Sequence, residues 1–510
     1  MGIFANPLTD LLEYEDFSRD FLKGTDPVGM TGCIDSEKVH FMSTFLGEKK
    51  VQLVVTYNEQ RAREIEEDYK LFCSQVYVIP PRDLIFFSAD LQGNAIIAER
   101  MKAFAALYQN EAKVIITTMD ALMSAAVPFE QLMSHVIKLK EGDELDLEKL
   151  KHDLTVMGYE RVGRVEEPGQ FTVHGGIADV YPLTMEVPVR IELWGDEIDT
   201  IRCFEPQSQR SMDQIESVSV FPAAEVIADD TARRRAVGMI KNELESQLAV
   251  FKKAKEPDKA KRLREETNRI LEALGEEVVL EAPDSYISYF YPRTVQLSEY
   301  FDEKNTLVFL DEPMRLKERG DGVQAEFEES MKNRLEQGFL LPGQTALLTP
   351  AKHVLAAFER GQVAALSSLD SRLADFTVVN SYAVNVQNMN TYREGFELLI
   401  KDLTHWKKEK YRIVLLCPSR TRANRIVNQL IEYDLLAYYS EDEDKKINPG
   451  EIMVTYGNLH RGFLYPMLKF AVITESDIFG VKKKKKEKKS HYQGQRISDF
   501  AQLKPGDYVV

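Results

Sequence analysis

Short apolar runs alternate with amphipathic segments along the first 130 residues. The runs at 51–58, 75–81 and 113–118 are rich in valine and isoleucine, which favours buried β-strands. Between them, apolar residues recur at helical spacing in two segments, at Ala62, Ile65, Tyr69 and Phe72, and then at Ile97, Met101, Phe104 and Leu107. Strands that alternate with helices in this way predict a parallel sheet covered by helices, and hence an α/β domain.

The pattern changes over residues 131–225. Leu147, Leu150, Leu154 and Met157 fall on one helical face, and Gly158 is placed to end that helix. The segments 169–184 and 187–206 then alternate apolar and polar residues between glycine-rich breaks, which indicates antiparallel strands. We therefore predict a small antiparallel α+β domain inserted into the larger one.

The remaining segments complete a multidomain organisation. We predict a charged helical hairpin over 231–274, broken near 256–258, and an apolar strand over 305–313. The predicted division is a first α/β domain made of residues 1–130 and 226–345, an insert at 131–225, a second α/β domain at 346–478, a lysine-rich linker at 479–500 and a strand at 501–510.

Composition and charge narrow the function classes. The net charge of −17 argues against a general nucleic-acid clamp, because such proteins need lysine and arginine patches to bind phosphates. The four cysteines, Cys33, Cys73, Cys203 and Cys417, are scattered without zinc-binding spacing, so we predict reduced thiols and no metal site. The sequence has no recognisable signal peptide or membrane span, and we expect a cytoplasmic protein without a membrane partner.

Residues 29–36, GMTGCIDS, follow the outline of a phosphate-binding loop, Gly-x-x-x-x-Gly-Lys-Ser/Thr, with Gly29 in first place. Ser36 stands where the hydroxyl that holds Mg²⁺ belongs, but Ile34 replaces the second required glycine and Asp35 replaces the lysine. An aspartate beside a triphosphate repels it, and Lys38, further along the helix, is a poor substitute for the loop lysine. The loop is therefore predicted to be degenerate.

A second feature points to the same kind of site. The strand at 305–313 ends in Asp311 and Glu312, the acidic pair that orders Mg²⁺ in phosphate-loop enzymes. Together with Gly32 and the altered loop positions, this pair predicts a decayed nucleotide site that has no catalytic residues. We expect the chain to bind neither ATP nor Mg²⁺ and to need no cofactor.

Four stretches carry a family resemblance: residues 158–211, LSEYFDEKNTLVFLDEP at 297–313, GFLLPGQ at 338–344 and FAVITESDIFG at 470–480. They resemble the N-terminal region of the bacterial transcription-repair coupling factors (Mfd), which is related to the excision-repair helicase UvrB. The resemblance implies a UvrB-like module that has kept a RecA-type parallel-sheet fold and lost nucleotide binding. It also implies that the ATP- and Mg²⁺-dependent motor, a DNA translocase that displaces stalled RNA polymerase, lies outside this chain.

The resemblance further implies a function and a set of binding residues. The module would recruit UvrA to stalled transcription complexes for nucleotide excision repair. RNA polymerase and DNA would be contacted only through regions absent here, although 501–510 is similar to the opening strand of the polymerase-interacting domain. The candidates for UvrA binding are Arg161 above all, with Glu160, Phe171, Thr172 and His174.

Three alternatives accompany this interpretation. The chain could be an NTPase or helicase with an unorthodox phosphate loop, which the missing lysine disfavours. It could bind damaged DNA itself, which the acidic charge and the absence of UvrB's tyrosine-rich hairpin near residues 80–97 disfavour. At the level of single residues, Arg161 could be an ordinary solvated arginine and Phe171 an ordinary core residue.

Overall fold

The structure is a computed structural model that describes residues 7–48, 50–82, 93–275, 283–370, 376–392, 395–442 and 445–480. The predicted strand at 501–510 and nearly all of the predicted linker at 479–500 lie outside these ranges. So do residues 83–92, in the segment where the sequence predicts that UvrB's tyrosine-rich hairpin is absent. None of the helices in the described ranges is both long and apolar enough to cross a bilayer.

The first sheet has seven strands, and all its paired neighbours run parallel. In spatial order the strands are Asn380–Ala383, Val28–Thr31, Val363–Ser367, Thr306–Asp311, Val51–Thr56, Val114–Thr118 and Val76–Ile79. Most of its central strands are buried along their whole length, which explains their nearly continuous apolar sequences. The predicted α/β fold with a parallel sheet is confirmed.

Two strands of this sheet come from beyond residue 345, where the sequence predicts the next domain. Val363–Ser367 lies between two strands of the first domain and pairs Ala364 with Phe309 and Leu366 with Met30. Asn380–Ala383 forms the edge beside it. The predicted boundary between 345 and 346 therefore does not separate the sheets, because the apolar run VAALS completes the first sheet rather than starting a new one.

The insert contains a six-stranded sheet. In spatial order its strands are Ser211–Gln214, Glu197–Phe204, Val189–Trp194, Ile177–Val180, Gln170–His174 and Glu160–Arg161. All neighbours are antiparallel except the last pair, which is parallel. The helix Leu147–Val156 packs its buried leucines against one face, and Gly158 follows it with a φ of +90°. Both the predicted helix and the antiparallel strands are present.

The insert leaves and rejoins the first domain through a pair of strands, Ile137–Lys140 and Ser217–Val220, which form an antiparallel sheet of their own. Just beyond this exit, Glu225 is buried and accepts hydrogen bonds from the Arg100 guanidinium, whose Nη2 lies 3.0 Å from Oε2. Arg100 belongs to the helix Gly93–Tyr108 of the first domain. A buried ion pair therefore fixes the connection between the insert and the first domain.

The third of the large sheets, called the third sheet below, has six strands. Their spatial order is Gln387–Asn388, Phe463–Tyr465, Phe470–Thr474, Arg412–Cys417, Ile452–Tyr456 and Ala437–Tyr439. Its helices are Phe396–Lys408, Arg420–Glu432 and Glu475–Phe479. The predicted helical hairpin is present as Asp230–Ala254 and Pro257–Gly275. In the described ranges, the other α-helices are Leu12–Lys23, Asp35–Ser43, Glu59–Tyr69, Met119–Met123, Phe129–Met133, Ile287–Phe290, Pro313–Glu336 and Ala351–Ala356. A further small sheet pairs Ala125–Ala126 with Val295–Gln296.

Candidate functional site

The phosphate-loop outline folds into a connection that is too short to wrap around phosphates. Gly29 lies inside the strand Val28–Thr31, paired on both sides, so that only Gly32, Cys33 and Ile34 remain between this strand and the helix Asp35–Ser43. At Gly32, an added Cβ would lie 2.0 Å from a backbone oxygen of Val384. The glycine therefore allows a close approach of two backbones, and the predicted role of Gly29 as a loop residue is wrong.

Two of the backbone donors of this connection already have acceptors within the protein. The Cys33 N–H donates to the Ser367 carbonyl at 3.2 Å, and the Ile34 N–H donates to the Glu37 carboxylate at 3.0 Å. A working phosphate loop needs such N–H groups free to face the ligand. In this structure the protein itself supplies the acceptors.

Lys38 occupies the position between the two acids that a divalent cation would need. Its Nζ lies 2.7 Å from Asp311 Oδ1 and 2.7 Å from Glu312 Oε1, and the lysine side chain is only 4% exposed. Thr56 donates to the second oxygen of Asp311 at 2.8 Å, and Arg61 Nε lies 3.4 Å from it. Burial alone would raise the pKa of Asp311, but these charges and hydrogen bonds outweigh it and lower that pKa to about 2.

A segment of the third sheet's unit covers the connection. The Arg461 N–H donates to Ser36 Oγ at 2.9 Å, and the Tyr465 hydroxyl donates to Glu37 Oε1 at 2.6 Å. The Arg461 guanidinium also lies 3.7 Å from Asp35 Oδ2. Ser36 is buried, so the hydroxyl that would hold Mg²⁺ in an active loop accepts a backbone donor here.

Six of the seven predicted nucleotide-site residues, all but Gly29, thus lie close together. Their polar groups, however, contact other groups of the same chain. Lys38 was the residue that sequence reasoning undervalued. The available signal was its place one helical turn after Asp35, on the side of the helix that faces the strand end. Among the residues that the structure describes, no group of three or more His, Cys, Asp or Glu could hold a metal ion.

Of the five residues predicted to bind a partner, two are buried and three are exposed. Phe171 is completely buried in the core beneath the helix Leu147–Val156, so its alternative role in packing is the one the structure supports. Thr172 is 7% exposed and lies opposite Asp179 in the sheet. Neither side chain is placed to meet a partner, because the first points into the core and the second is covered. Glu160, Arg161 and His174 are exposed.

The exposed candidates lie on one edge of the insert sheet but on different faces. The register pairs Arg161 with Phe171 and Glu160 with Gln170. Because paired positions share a face and successive residues alternate, Arg161 lies on the helix side of the sheet edge, whereas Glu160 shares the opposite face with His174. Within the described ranges, the Arg161 guanidinium has no ion pair or hydrogen bond.

Sequence reasoning also missed Trp194 on this domain. The side chain is 84% exposed at the end of the strand Val189–Trp194. The signal was the alternation in VRIELW, which places Trp194 on the same face as Arg190 and Glu192 and opposite the core residues between them.

Two domain families match parts of the chain. The UvrB interaction domain matches residues 137–225, and the D3 domain of MFD matches residues 405–478. The first match covers the insert sheet and its entry and exit strands. A crystal structure of a hypothetical ATP-dependent RNA helicase from Sulfolobus tokodaii is 8% identical and covers 87% of this chain and 82% of that chain, with a TM-score of 0.21 that is too low to indicate a shared overall arrangement.

Curated relatives match along almost the whole chain. The transcription-repair-coupling factor of Bacillus subtilis is 29% identical over 513 residues, which cover 99% of this chain and 43% of the relative. Those of Staphylococcus epidermidis and Staphylococcus haemolyticus are 27% and 28% identical and cover 100% and 96% of this chain. The chain spans less than half the length of these relatives, at 43%, 43% and 42%. Along its whole length, the chain is therefore similar to the N-terminal region of transcription-repair coupling factors.

Proposed function

We propose that this chain is the non-catalytic, UvrB-like module of a transcription-repair coupling factor and that it recruits UvrA through the insert at 131–225. The observation that carries the proposal is an exposed sheet edge with Arg161, unpaired within the described ranges, in the domain that matches the UvrB interaction domain. A guanidinium offers a rigid fork of donors that suits the carboxylates of a protein partner.

The interior of the first domain supports a non-catalytic role. The acids that would order Mg²⁺ neutralise Lys38, and the connection that would bind phosphates donates the N–H groups of Cys33 and Ile34 to Ser367 and Glu37. An NTPase would need these groups at its substrate. In the proposed role, ATP-driven translocation, DNA binding and polymerase contact belong to other regions of a longer protein.

The direct test is the affinity of UvrA for three variants of the chain, measured by titration calorimetry. Arg161→Ala should weaken binding by about thirtyfold, the usual effect of truncating a central interface arginine, and His174→Ala should weaken it less. Arg210→Ala is the matched control, because Arg210 is an exposed arginine near the opposite edge of the same sheet. Equal binding by wild type and a folded Arg161→Ala variant would remove Arg161 from the interface, and no binding by wild type would refute the recruitment role.

A further inference from the structure

One end of the insert sheet forms a surface that we call the hairpin tip, made of residues 174–177, 194–197 and 142–146. Gly175 and Gly176 form the turn between His174 and Ile177, which are paired, and Gly195 and Asp196 form the turn between Trp194 and Glu197. Gly175 and Gly195 have φ values of +60° and +66°, which glycine adopts without strain. Both turns are therefore tight and belong to neighbouring hairpins.

Backbone hydrogen bonds join the three segments of the hairpin tip. The Leu193 N–H donates to the Gly176 carbonyl at 2.9 Å, and the Leu145 N–H donates to the Asp196 carbonyl at 2.8 Å. The Ile198 N–H donates to the Asp143 carbonyl at 2.9 Å. Because the backbone is fixed on both sides of Trp194, little main-chain freedom would be lost when a partner binds there.

The hairpin tip lies at the exposed end of the sheet's outer face. The other end is covered by a small cluster that buries Val165 and Phe204, and the Arg190 guanidinium lies over the Phe204 ring at 4.8 Å. At the hairpin tip, Ile177 is 40% exposed and Trp194 is 84% exposed. The second tryptophan of the chain, Trp406, is only 8% exposed. An exposed tryptophan on a hydrogen-bonded backbone, with an exposed isoleucine on the same face, is typical of an interface anchor.

The surroundings of Trp194 are acidic. Glu144, Asp196, Glu197 and Asp199 are exposed there, and residues 191–201 contain no lysine or arginine. Within the part of the chain that the structure describes, none of these four carboxylates forms an ion pair. A partner surface that brought further carboxylates here would be repelled, whereas lysine and arginine around an apolar pocket would complement both features.

We propose that the hairpin tip is a second docking surface for UvrA, in which Trp194 enters an apolar pocket that is rimmed by lysine and arginine. This inference rests on the proposed recruitment of UvrA. It adds a contact of opposite charge to that of Arg161, which lies at the sheet edge on the other face. The two surfaces together would fix the orientation of the partner, because each accepts only one sign of charge.

The test compares the affinity of UvrA for Trp194→Ala with that for Met212→Ala, using the full chain in titration calorimetry. Met212 is 53% exposed in the strand at the far edge of the same sheet, so it controls for the loss of an exposed apolar side chain. Trp194→Ala should bind about thirtyfold more weakly or worse, and Met212→Ala should bind like wild type. Circular dichroism establishes that each variant is folded.

A charge variant tests the basic rim separately. In the wild type, raising salt from ~0.1 M to ~0.5 M should weaken the contribution of the hairpin tip by screening. Asp196→Asn combined with Glu197→Gln should bind more weakly at low salt and lose part of that salt dependence. If Trp194→Ala bound UvrA with wild-type affinity, the hairpin tip would not be a docking surface, while the recruitment role would stand. A wild-type chain that does not bind UvrA would overturn both.

Discussion

At the scale of single residues, Asp35 and Lys38 decide which ligands the first domain can bind. A phosphate loop keeps its lysine free to meet the outer phosphates. Here an aspartate stands at that position, and the nearest lysine of the helix turns inward to Asp311 and Glu312, at 2.7 Å from each. Asp311 and Glu312 therefore have a counter-charge within the protein, and their ion pairs with Lys38 stabilise the folded chain.

We expect Lys38→Met to lower the free energy of unfolding by about 3–5 kcal/mol, because it leaves Asp311 buried without its closest counter-charge. Urea denaturation followed by circular dichroism measures this change. Lys241→Met is the matched control, since Lys241 is exposed on a helix and should tolerate the change. Adding Asp311→Asn to Lys38→Met should recover part of the loss, and an unaltered denaturation midpoint for Lys38→Met would contradict the structural role.

The residues beside this pair give the chain a pH-dependent stability. Burial raises the pKa of Glu37 from 4.5 to about 7 and that of Asp68 from 3.8 to about 7. The folded state therefore holds protons that the unfolded state has released between pH 4.5 and about 7. In that window the stability that these two groups contribute falls as the pH rises, and above it this contribution is constant.

Glu37→Gln should remove the share of Glu37 in this effect. In the protonated form, the Glu37 carboxyl can donate to the Tyr465 hydroxyl, which can donate in turn to His40 Nδ1 at 3.2 Å, and a glutamine amide can do the same. At pH 8 the variant should be more stable than wild type, and at pH 5 the difference should shrink. Urea midpoints at the two pH values measure it, and a difference that does not depend on pH would show that Glu37 is ionised throughout.

At the scale of elements, sequence reasoning succeeded where a single local pattern fixes the structure. A few residues of local sequence are enough to predict the apolar strands Val51–Thr56 and Val114–Thr118 and the leucine-faced helix Leu147–Val156. It failed where a partner lies far away in sequence. Val363–Ser367 was not assigned to the first sheet, and Lys38 was not paired with Asp311, which is separated from it by 273 residues. Long-range pairing depends on the whole fold and not on local spacing.

The helix of the insert provides a test at this scale. The Asp146 carboxylate caps Leu147–Val156 by accepting from the N–H groups of Glu148 at 2.9 Å and Lys149 at 3.2 Å. We expect Asp146→Ala to lower the free energy of unfolding by about 1 kcal/mol, the usual effect of losing an N-cap. Asp199→Ala, in the same domain but outside any cap, is the control. Equal denaturation midpoints for the two variants would show that the cap contributes nothing.

At the scale of the whole molecule, the units of two different sheets together cover the predicted nucleotide position. The first sheet places Asp311 at a strand end, the connection before the helix Asp35–Ser43 uses its own N–H groups, and the third sheet's unit contributes Arg461 and Tyr465 from above. A search for altered motif letters would have suggested that the loop alone prevents binding. We expect the surrounding units to prevent it as well, because Arg461 and Tyr465 already contact Ser36 and Glu37.

These two explanations make different predictions for ATP binding. Wild type should give no saturable heat with Mg·ATP in titration calorimetry. The variant Ile34→Gly with Asp35→Lys restores the letters of the phosphate-loop motif, and a degenerate loop alone would predict recovered binding. We expect none, because Gly29 remains inside its strand, Lys38 still neutralises the acids and the Arg461 N–H still occupies Ser36. Micromolar binding by the wild type that Ser36→Ala or Asp311→Asn abolishes would refute this account, since those groups would then be reaching the nucleotide despite their contacts within the protein.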